Sequence, residues 1–275
     1  MDLSDLVDLE RYPLADPTSP VAQAVIAAAR EQLESMGAAE LPGFVHALGV
    51  EALVADADAL APRGHRSGGL GGPYLGLPDE SLPEGHPRRF LEPYAVSAVG
   101  YDVIPTSSPL RRIYDSPEVL AFIEAILNRG PLHRYADPCG ALNLAVMDEG
   151  DALQWHFDQT DFVVSLAIQS SLGGGAFEVA PRIRSEHDER YGDVRSVLEG
   201  ERGAVQVLAM HPGTLLVFEG RNSLHRVSPV EGSRSRHVGL LAYDTKAGTT
   251  SSDLLREVRY GRVVPFDAPP ETWPA

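Results

Sequence analysis

The sequence predicts a mainly β protein with flanking helices, an α+β chain built on a double-sheet jelly-roll core, and three observations carry that prediction. Near residue 141 the apolar pattern changes from helical spacing to strand spacing. Eight short apolar runs follow, parted by turn signals such as Asp148-Glu149-Gly150-Asp151 and Gly173-Gly174-Gly175. Upstream, a helix with a wide apolar stripe needs a flat partner, most simply a sheet face. A chain of 275 residues is long enough for one domain with a proper core. The expected division is a single domain, 1–275, with a helical N-terminal part and substrate loop (1–140), a jelly-roll core (141–246) and a C-terminal tail (247–275).

In chain order, Ser19-Pro20-Val21 opens the first helix with Ser as N-cap and Pro at the first helical position, and Gly37 stops it. Leu41-Pro42-Gly43-Phe44-Val45 is a short extended entry to a second helix over 50–60. Residues 63–93 are rich in Gly and Pro and are assigned to loop. So long a loop is functional or disordered, and its Tyr74, His86, Arg88 and Arg89 favour function. The N-terminal helices are expected to pack on one sheet. The last of them starts at Ser116-Pro117-Glu118 and carries Val119, Leu120, Phe122, Ile123, Ile126 and Leu127 on its apolar stripe. The eight strands are expected at 142–147, 153–158, 162–169, 176–179, 205–208, 214–218, 223–227 and 237–243, with a partly helical insertion around 193–198. After Ser251 come one short amphipathic piece and a Pro-rich end.

Composition excludes some roles. With 23 Lys and Arg against 39 Asp and Glu, the formal net charge is −16, which argues against nucleic acid or an anionic membrane as partner. The lone Cys139 rules out an intramolecular disulfide and fits a small buried hydrophobe. The acidic start, Met1-Asp2-Leu3-Ser4-Asp5, is unlike a signal peptide, and no apolar run reaches the length of a membrane span, so a cytoplasmic location is expected. A homodimer is an assembly left open.

The chemistry starts at Gln154-Trp155-His156-Phe157-Asp158-Gln159. On a strand, His156 and Asp158 leave the same face roughly 6.5–7 Å apart and can share a metal ion. His225, in Asn222-Ser223-Leu224-His225-Arg226-Val227, offers a third ligand. Two histidines and one carboxylate with open positions form the facial triad of non-haem Fe(II) oxygenases, whereas zinc on the same ligands would mean a hydrolase. Arg236 separates the two readings. It heads an apolar strand and shares a face with Val238, Leu240 and Ala242, so if that face is interior the cation needs an anion. The distal carboxylate of 2-oxoglutarate is such an anion, and arginine holds it in bidentate fashion. Arg234 shares the same face and is the alternative. Asn143 and Gln169 are polar residues in apolar strands that either bond a ligand or are satisfied within the fold.

Three blocks carry a resemblance to a known family: Gly150-Asp151-Ala152-Leu153-Gln154-Trp155-His156-Phe157-Asp158-Gln159-Thr160-Asp161-Phe162, then Gly174-Gly175-Ala176-Phe177-Glu178, then the run from Pro212-Gly213-Thr214 through Glu219-Gly220-Arg221 to His225-Arg226-Val227. Over roughly residues 40 to 262 the chain resembles the Fe(II)/2-oxoglutarate oxygenases related to the free-amino-acid radical halogenases and their hydroxylase cousins. His86-Pro87-Arg88-Arg89 and Tyr114-Asp115-Ser116-Pro117 belong to the same likeness.

The resemblance implies a double-stranded β-helix (cupin-like jelly-roll) core, with Fe(II) on His156, Asp158 and His225 and 2-oxoglutarate on Arg236. It also implies O2 as oxidant and a small amino-acid-like substrate. The halogenase branch leaves the carboxylate position to Gly or Ala for chloride; here Asp158 fills it, so a hydroxylase is expected. The leading expectation is hydroxylation of an unactivated C–H bond of a free or lightly modified amino acid, with release of succinate and CO2. Arg88 or Arg89 is a candidate clamp for the substrate carboxylate, against the alternative of a solvated basic pair. Desaturation, cyclisation or oxidative cleavage would use the same cofactors. A non-catalytic or zinc-binding jelly roll that recognises a small ligand is the reading from another class.

Overall fold

Runs such as Leu142–Met147, apolar at almost every position, suit strands covered on both faces. A computed structural model, describing residues 2–264, uses them in that way. The first half of the chain contributes α1 (Pro20–Met36), β1 (Ala38–Leu41), α2 (Ala47–Leu60), β2 (His65–Gly71), β3 (Glu92–Gly100), α3 (Pro109–Asp115), α4 (Pro117–Leu127) and β4 (His133–Arg134). Then follow β5 (Leu142–Met147), β6 (Leu153–His156), β7 (Val163–Gln169), β8 (Gly173–Gly174), β9 (Phe177–Ala180), α5 (Tyr191–Leu198) and β10 (Gln206–Leu208). The last elements are β11 (Leu215–Phe218), β12 (Leu224–Val227), β13 (Val230–Glu231), β14 (Arg236–Leu241), β15 (Tyr243–Asp244) and α6 (Asp253–Tyr260).

A major sheet has the order β1-β11-β7-β14-β5-β3-β2, and a minor sheet the order β10-β9-β12-β6. The eight strands expected from sequence divide equally between them: β5, β14, β7 and β11 in one, β6, β12, β9 and β10 in the other. Their facing sides form a jelly-roll interior, with Ala145, Met147, Ala167, Leu216 and Phe218 meeting Phe177, Val179 and Val227. Leu142, Leu144, Val146, Val164, Leu166 and Ile168 leave the opposite face of the major sheet. Ile26 of α1, Leu53 of α2, and Phe122 and Ile126 of α4 cover them. Ser19 Oγ accepts the Ala22 amide and Ser116 Oγ the Val119 amide, so the predicted helix starts are the observed ones.

Several expectations need correction. The supposed loop over 63–93 contains β2, a Gly-rich strand paired along its whole length with β3. Backbone pairing makes that strand, while its glycines lack the β-branched signal by which strands are read. β2 and β3 extend the major sheet beyond β5, and β1 pairs with β11 at its other edge. The first 140 residues are therefore not simply helical, and the sheet does not begin at residue 141. β1 lies earlier than the extended entry placed at 41–45, α2 starts at Ala47 with His46 as its cap, and α3 was not anticipated. β14 ends at Leu241, leaving Ala242 between β14 and β15 rather than on the Arg236 face. The short amphipathic piece is α6; the Pro-rich end, residues 265–275, lies outside the described residues. Cys139 is fully buried, and burial pushes its thiol up to about 11. Among the described residues, no helix is long and apolar enough to cross a membrane.

Candidate metal centre

β6 and β12 are neighbours in the minor sheet, with His156 directly opposite His225. Three steps on β6 match two on β12 between the pairs Leu153–Val227 and His156–His225, so β6 carries a bulge. The bulge re-aims the strand end, as such features do beside functional sites. Trp155 packs outward with Val194 and Val197 of α5, and His156 faces His225 with ring centroids 4.2 Å apart. The strand ends at His156, two residues short of the expected end, so Asp158 reaches the site from the following turn. Its amide donates to the Gly220 carbonyl at 3.1 Å. Asp158 Oδ2 lies 3.3 Å from His225 Nε2, and Oδ1 lies 3.8 Å from His156 Nε2. Two ligands about 2.1 Å from one ion at right angles would be ~3 Å apart, so these atoms need move little to share a cation.

The protonation state fits a metal. His156 Nδ1 lies 2.8 Å from the Gln154 carbonyl and His225 Nδ1 2.9 Å from the Ser223 carbonyl. A carbonyl only accepts, so each Nδ1 carries the proton and each Nε2 turns its lone pair inward. Burial, then the neighbouring His225, holds the His156 imidazole down at about 4, hence neutral at pH 7. Asp158 Oδ2 is buried without a hydrogen-bond partner among the described residues. Three acceptors facing one another with no donor are costly to bury unless a cation lies between them. Phe177 and Phe218, 5.6 and 5.0 Å from the His225 ring, keep that imidazole in place.

Gly220 packs so closely on Asp158 that a Cβ there would stand 2.0 Å from Oδ2, which explains a glycine in the middle of the His225 block. The neighbouring Arg221 binds the Asp161 carboxylate and the Gln159 carbonyl, fastening the turn that bears Asp158 to the loop that leads into His225. Arg221→Ala should lower metal affinity by ~10-fold, the small end of the range for residues that orient ligands. Because this pair is half exposed, global stability should fall by less than ~1 kcal/mol. Chelator competition together with thermal melting would measure both, and unchanged affinity would mean that the two loops hold themselves.

Across the interior, cross-strand pairs on the major sheet form layers. Asn143, Leu240 and Ser165 are register neighbours, as are Ala145, Val238 and Ala167. The second layer is built of small side chains. Arg236 stands beyond that layer, 8% exposed, opposite Met147. Its Nη1 lies 3.9 Å from Met147 Sδ, and no carboxylate lies within ion-pair distance among the described residues. Burial alone pushes its guanidinium down to about 10. Gly175, at φ +61°, makes space for it: a Cβ would sit 3.1 Å from Arg236 Cδ.

The other candidates separate clearly. Arg234 is exposed and donates to the carbonyls of Ser170 and Ser171. Asn143 is buried on the interior face with Oδ1 unpartnered among the described residues. Gln169 donates Nε2 to the Ser235 carbonyl at 3.0 Å, a structural bond that steadies the entry to β14. Ser165 was not singled out from sequence. Its signal was available, because it is the polar residue two positions before Ala167 on the same strand face.

Tyr74, His86, Arg88 and Arg89, the residues assigned to the substrate, are not brought to the triad. The Tyr74 ring lies tilted against Phe157, centroids 5.4 Å apart, and Phe157 packs with Trp155 on the outer side of the minor sheet. Arg88 lies over the Tyr74 ring at 4.6 Å, donates to Tyr191 Oη at 2.9 Å and approaches Glu189 at 3.9 Å. His86 packs on Tyr191 at 4.4 Å, and Arg89 donates to the Leu82 carbonyl. Tyr191 at the start of α5 and Glu189 just before that helix are the partners that engage this basic segment, and no local pattern near residue 88 announces them.

Comparison with known proteins agrees with this geometry. A family model described as Halogenase D matches residues 87–259. A search of curated proteins found no match. Similar solved structures include an oxidoreductase of the 2OG-Fe(II) oxygenase family from Burkholderia pseudomallei (17% identity, TM-score 0.52, covering 82% of this chain and 92% of that one). AviO1 from Streptomyces viridochromogenes is 17% identical with a TM-score of 0.55, covering 80% of this chain and 95% of that one. The non-heme alpha-ketoglutarate-dependent epimerase SnoN from nogalamycin biosynthesis is 12% identical, with a TM-score of 0.55 and coverage of 81% and 83%. At these identities the likeness shows a shared fold.

Proposed function

Because the chain belongs to the halogenase D family, whose model spans residues 87–259, we propose that it is an Fe(II)- and 2-oxoglutarate-dependent oxygenase that hydroxylates a free or lightly modified amino acid. One observation carries this reading: three inward-facing acceptors, His156, Asp158 and His225, share a sheet interior with a buried arginine that has no anionic partner among the described residues. An Fe(II) ion on the triad would supply the O2 chemistry that couples conversion of 2-oxoglutarate to succinate and CO2 with oxidation of a C–H bond.

The chain's own residues set the conditions for that chemistry. The Gln154 and Ser223 carbonyls fix both imidazoles in the tautomer that presents Nε2. Arg236 takes the distal carboxylate of 2-oxoglutarate, beside the layer of small side chains Ala145, Val238 and Ala167. The Asn143 amide, unpartnered at Oδ1, is free to bond ligand or water. Phe177, Phe218, Leu216 and Met147 keep the interior dry.

Hydroxylation is favoured over halogenation because Asp158 occupies, with both oxygens directed at the histidines, the position that a halide would need. The test is to supply the purified protein with Fe(II), ascorbate and 2-oxoglutarate, add free amino acids with and without chloride, and follow succinate and product mass. Iron-dependent succinate with a product one oxygen heavier is expected. A chlorinated product from the wild-type protein would overturn the hydroxylase reading, and zinc binding without 2-oxoglutarate turnover would overturn the oxygenase reading.

A further inference from the structure

Tyr74 and Arg88 do not touch the triad, yet Phe157 links their loop to it. Phe157 stands between the ligands His156 and Asp158, is buried, and turns its ring to the outer side of the minor sheet. Its amide donates to the Pro73 carbonyl at 2.9 Å, so the backbone between the two ligands is bonded to the residue just before Tyr74. Tyr74 packs against the same ring, and the guanidinium of Arg184 lies over it, 3.8 Å from the centroid.

Arg184 joins three segments at this point. Its side chain is 14% exposed, its Nε and Nη2 both donate to the Arg221 carbonyl, at 2.8 and 2.6 Å, and its Nη1 donates to Glu189 at 3.1 Å. Glu189 in turn approaches Arg88, and Arg88 lies over Tyr74. Phe157, Tyr74, Arg88, Glu189 and Arg184 thus form a closed circuit behind the metal turn. Bonding one carbonyl twice while lying flat on an aromatic face needs a planar fork with a charge, which arginine has and lysine lacks.

The three ligands differ in what holds them. His156 and His225 are cross-strand partners, fixed by the ladder between β6 and β12. Asp158 lies beyond the end of β6, with its amide on the Gly220 carbonyl. Its place against His225 therefore depends on how the turn after β6 sits on the loop over 220–223. Arg184 touches both, through the ring next to Asp158 and through the carbonyl next to Gly220. Ligand atoms have to be held to within about 0.5 Å, and a stacked, doubly bonded guanidinium leaves little more freedom than that.

Resting on the reading of His156, Asp158 and His225 as a metal centre, we propose that Arg184 is a positioning residue for that centre. It holds Phe157 and the Arg221 carbonyl at a fixed spacing and through them sets Asp158 against His225. Tyr74, Arg88 and Glu189 support it from behind, so the basic loop serves the metal turn.

The test titrates the metal-free, full-length protein with Co(II) against a competing chelator and records its melting temperature without metal. Arg184→Met is expected to lower Co(II) affinity by ~10-fold, as loss of a ligand-orienting contact does. Arg184→Lys should lower it by less, since it keeps a charge on the Phe157 ring, and it carries the comparison if the methionine variant does not fold. In an Asp158→Ala background the same Arg184 changes should alter affinity by less than about twofold, because the ligand they position is gone. A lower melting temperature with unchanged Co(II) affinity would make Arg184 a structural residue of the outer face. Equal losses with and without Asp158 would show that it does not act through that ligand, and either result overturns the assignment. If Asp158→Ala alone left Co(II) binding unchanged, the metal-centre reading itself would fall, and this assignment with it.

Discussion

Asp158→Ala is expected to lower iron-dependent succinate formation by more than the ~100-fold that loss of a ligand-orienting residue costs, because it deletes one of three protein ligands. The same substitution should not harm, and should slightly raise, the stability of the metal-free protein. Asp158 Oδ2 is buried with no donor and faces two lone pairs, an arrangement that costs about 1–3 kcal/mol when nothing neutralises it. Metal should stabilise the wild type by about 2.7 kcal/mol at a hundredfold excess over its dissociation constant, and much less in the variant. Anaerobic melting with and without Fe(II) measures both effects. A variant that metal stabilises as well as the wild type would show that the carboxylate is not a ligand.

Arg236→Met carries the second large effect, and its two readouts move in opposite directions. Losing a buried cation that pairs with 2-oxoglutarate should weaken cosubstrate use by about 2–5 kcal/mol, roughly 30-fold to several thousand-fold in KM. Without 2-oxoglutarate the variant should be the more stable protein, by on the order of 1 kcal/mol or more, since methionine fills a similar volume beside Met147 and removes an unpaired buried charge. Melting curves and 2-oxoglutarate titrations on one preparation compare the two. A variant that is less stable and yet unchanged toward 2-oxoglutarate would make Arg236 a structural residue. Arg234, exposed and bonded to two backbone carbonyls, should tolerate the same change with little effect on either readout.

Much of the interior was legible in the sequence because its chemistry is local. Eight apolar runs parted by turn residues announced the strands, and the Ser-Pro starts announced α1 and α4. His156, Asp158, His225 and Arg236 could be singled out because charged and ligating side chains in apolar strands are costly without a purpose. The bulge in β6 was not legible. It depends on how three residues of one strand meet two of another, and single-chain alternation carries no record of that register.

Sequence alone determined the number of core strands and singled out the two histidines and the carboxylate that converge on one point of the interior. Tertiary structure alone decided which arginines are left without partners. Arg88 is engaged by Glu189 and Tyr191 of a distant segment, Arg234 by the carbonyls of a neighbouring turn, while Arg236 meets no acid among the described residues. The reason is physical: a charge is written into the sequence at its own position, but its neutralisation depends on distance, and folding sets those distances through contacts far apart along the chain.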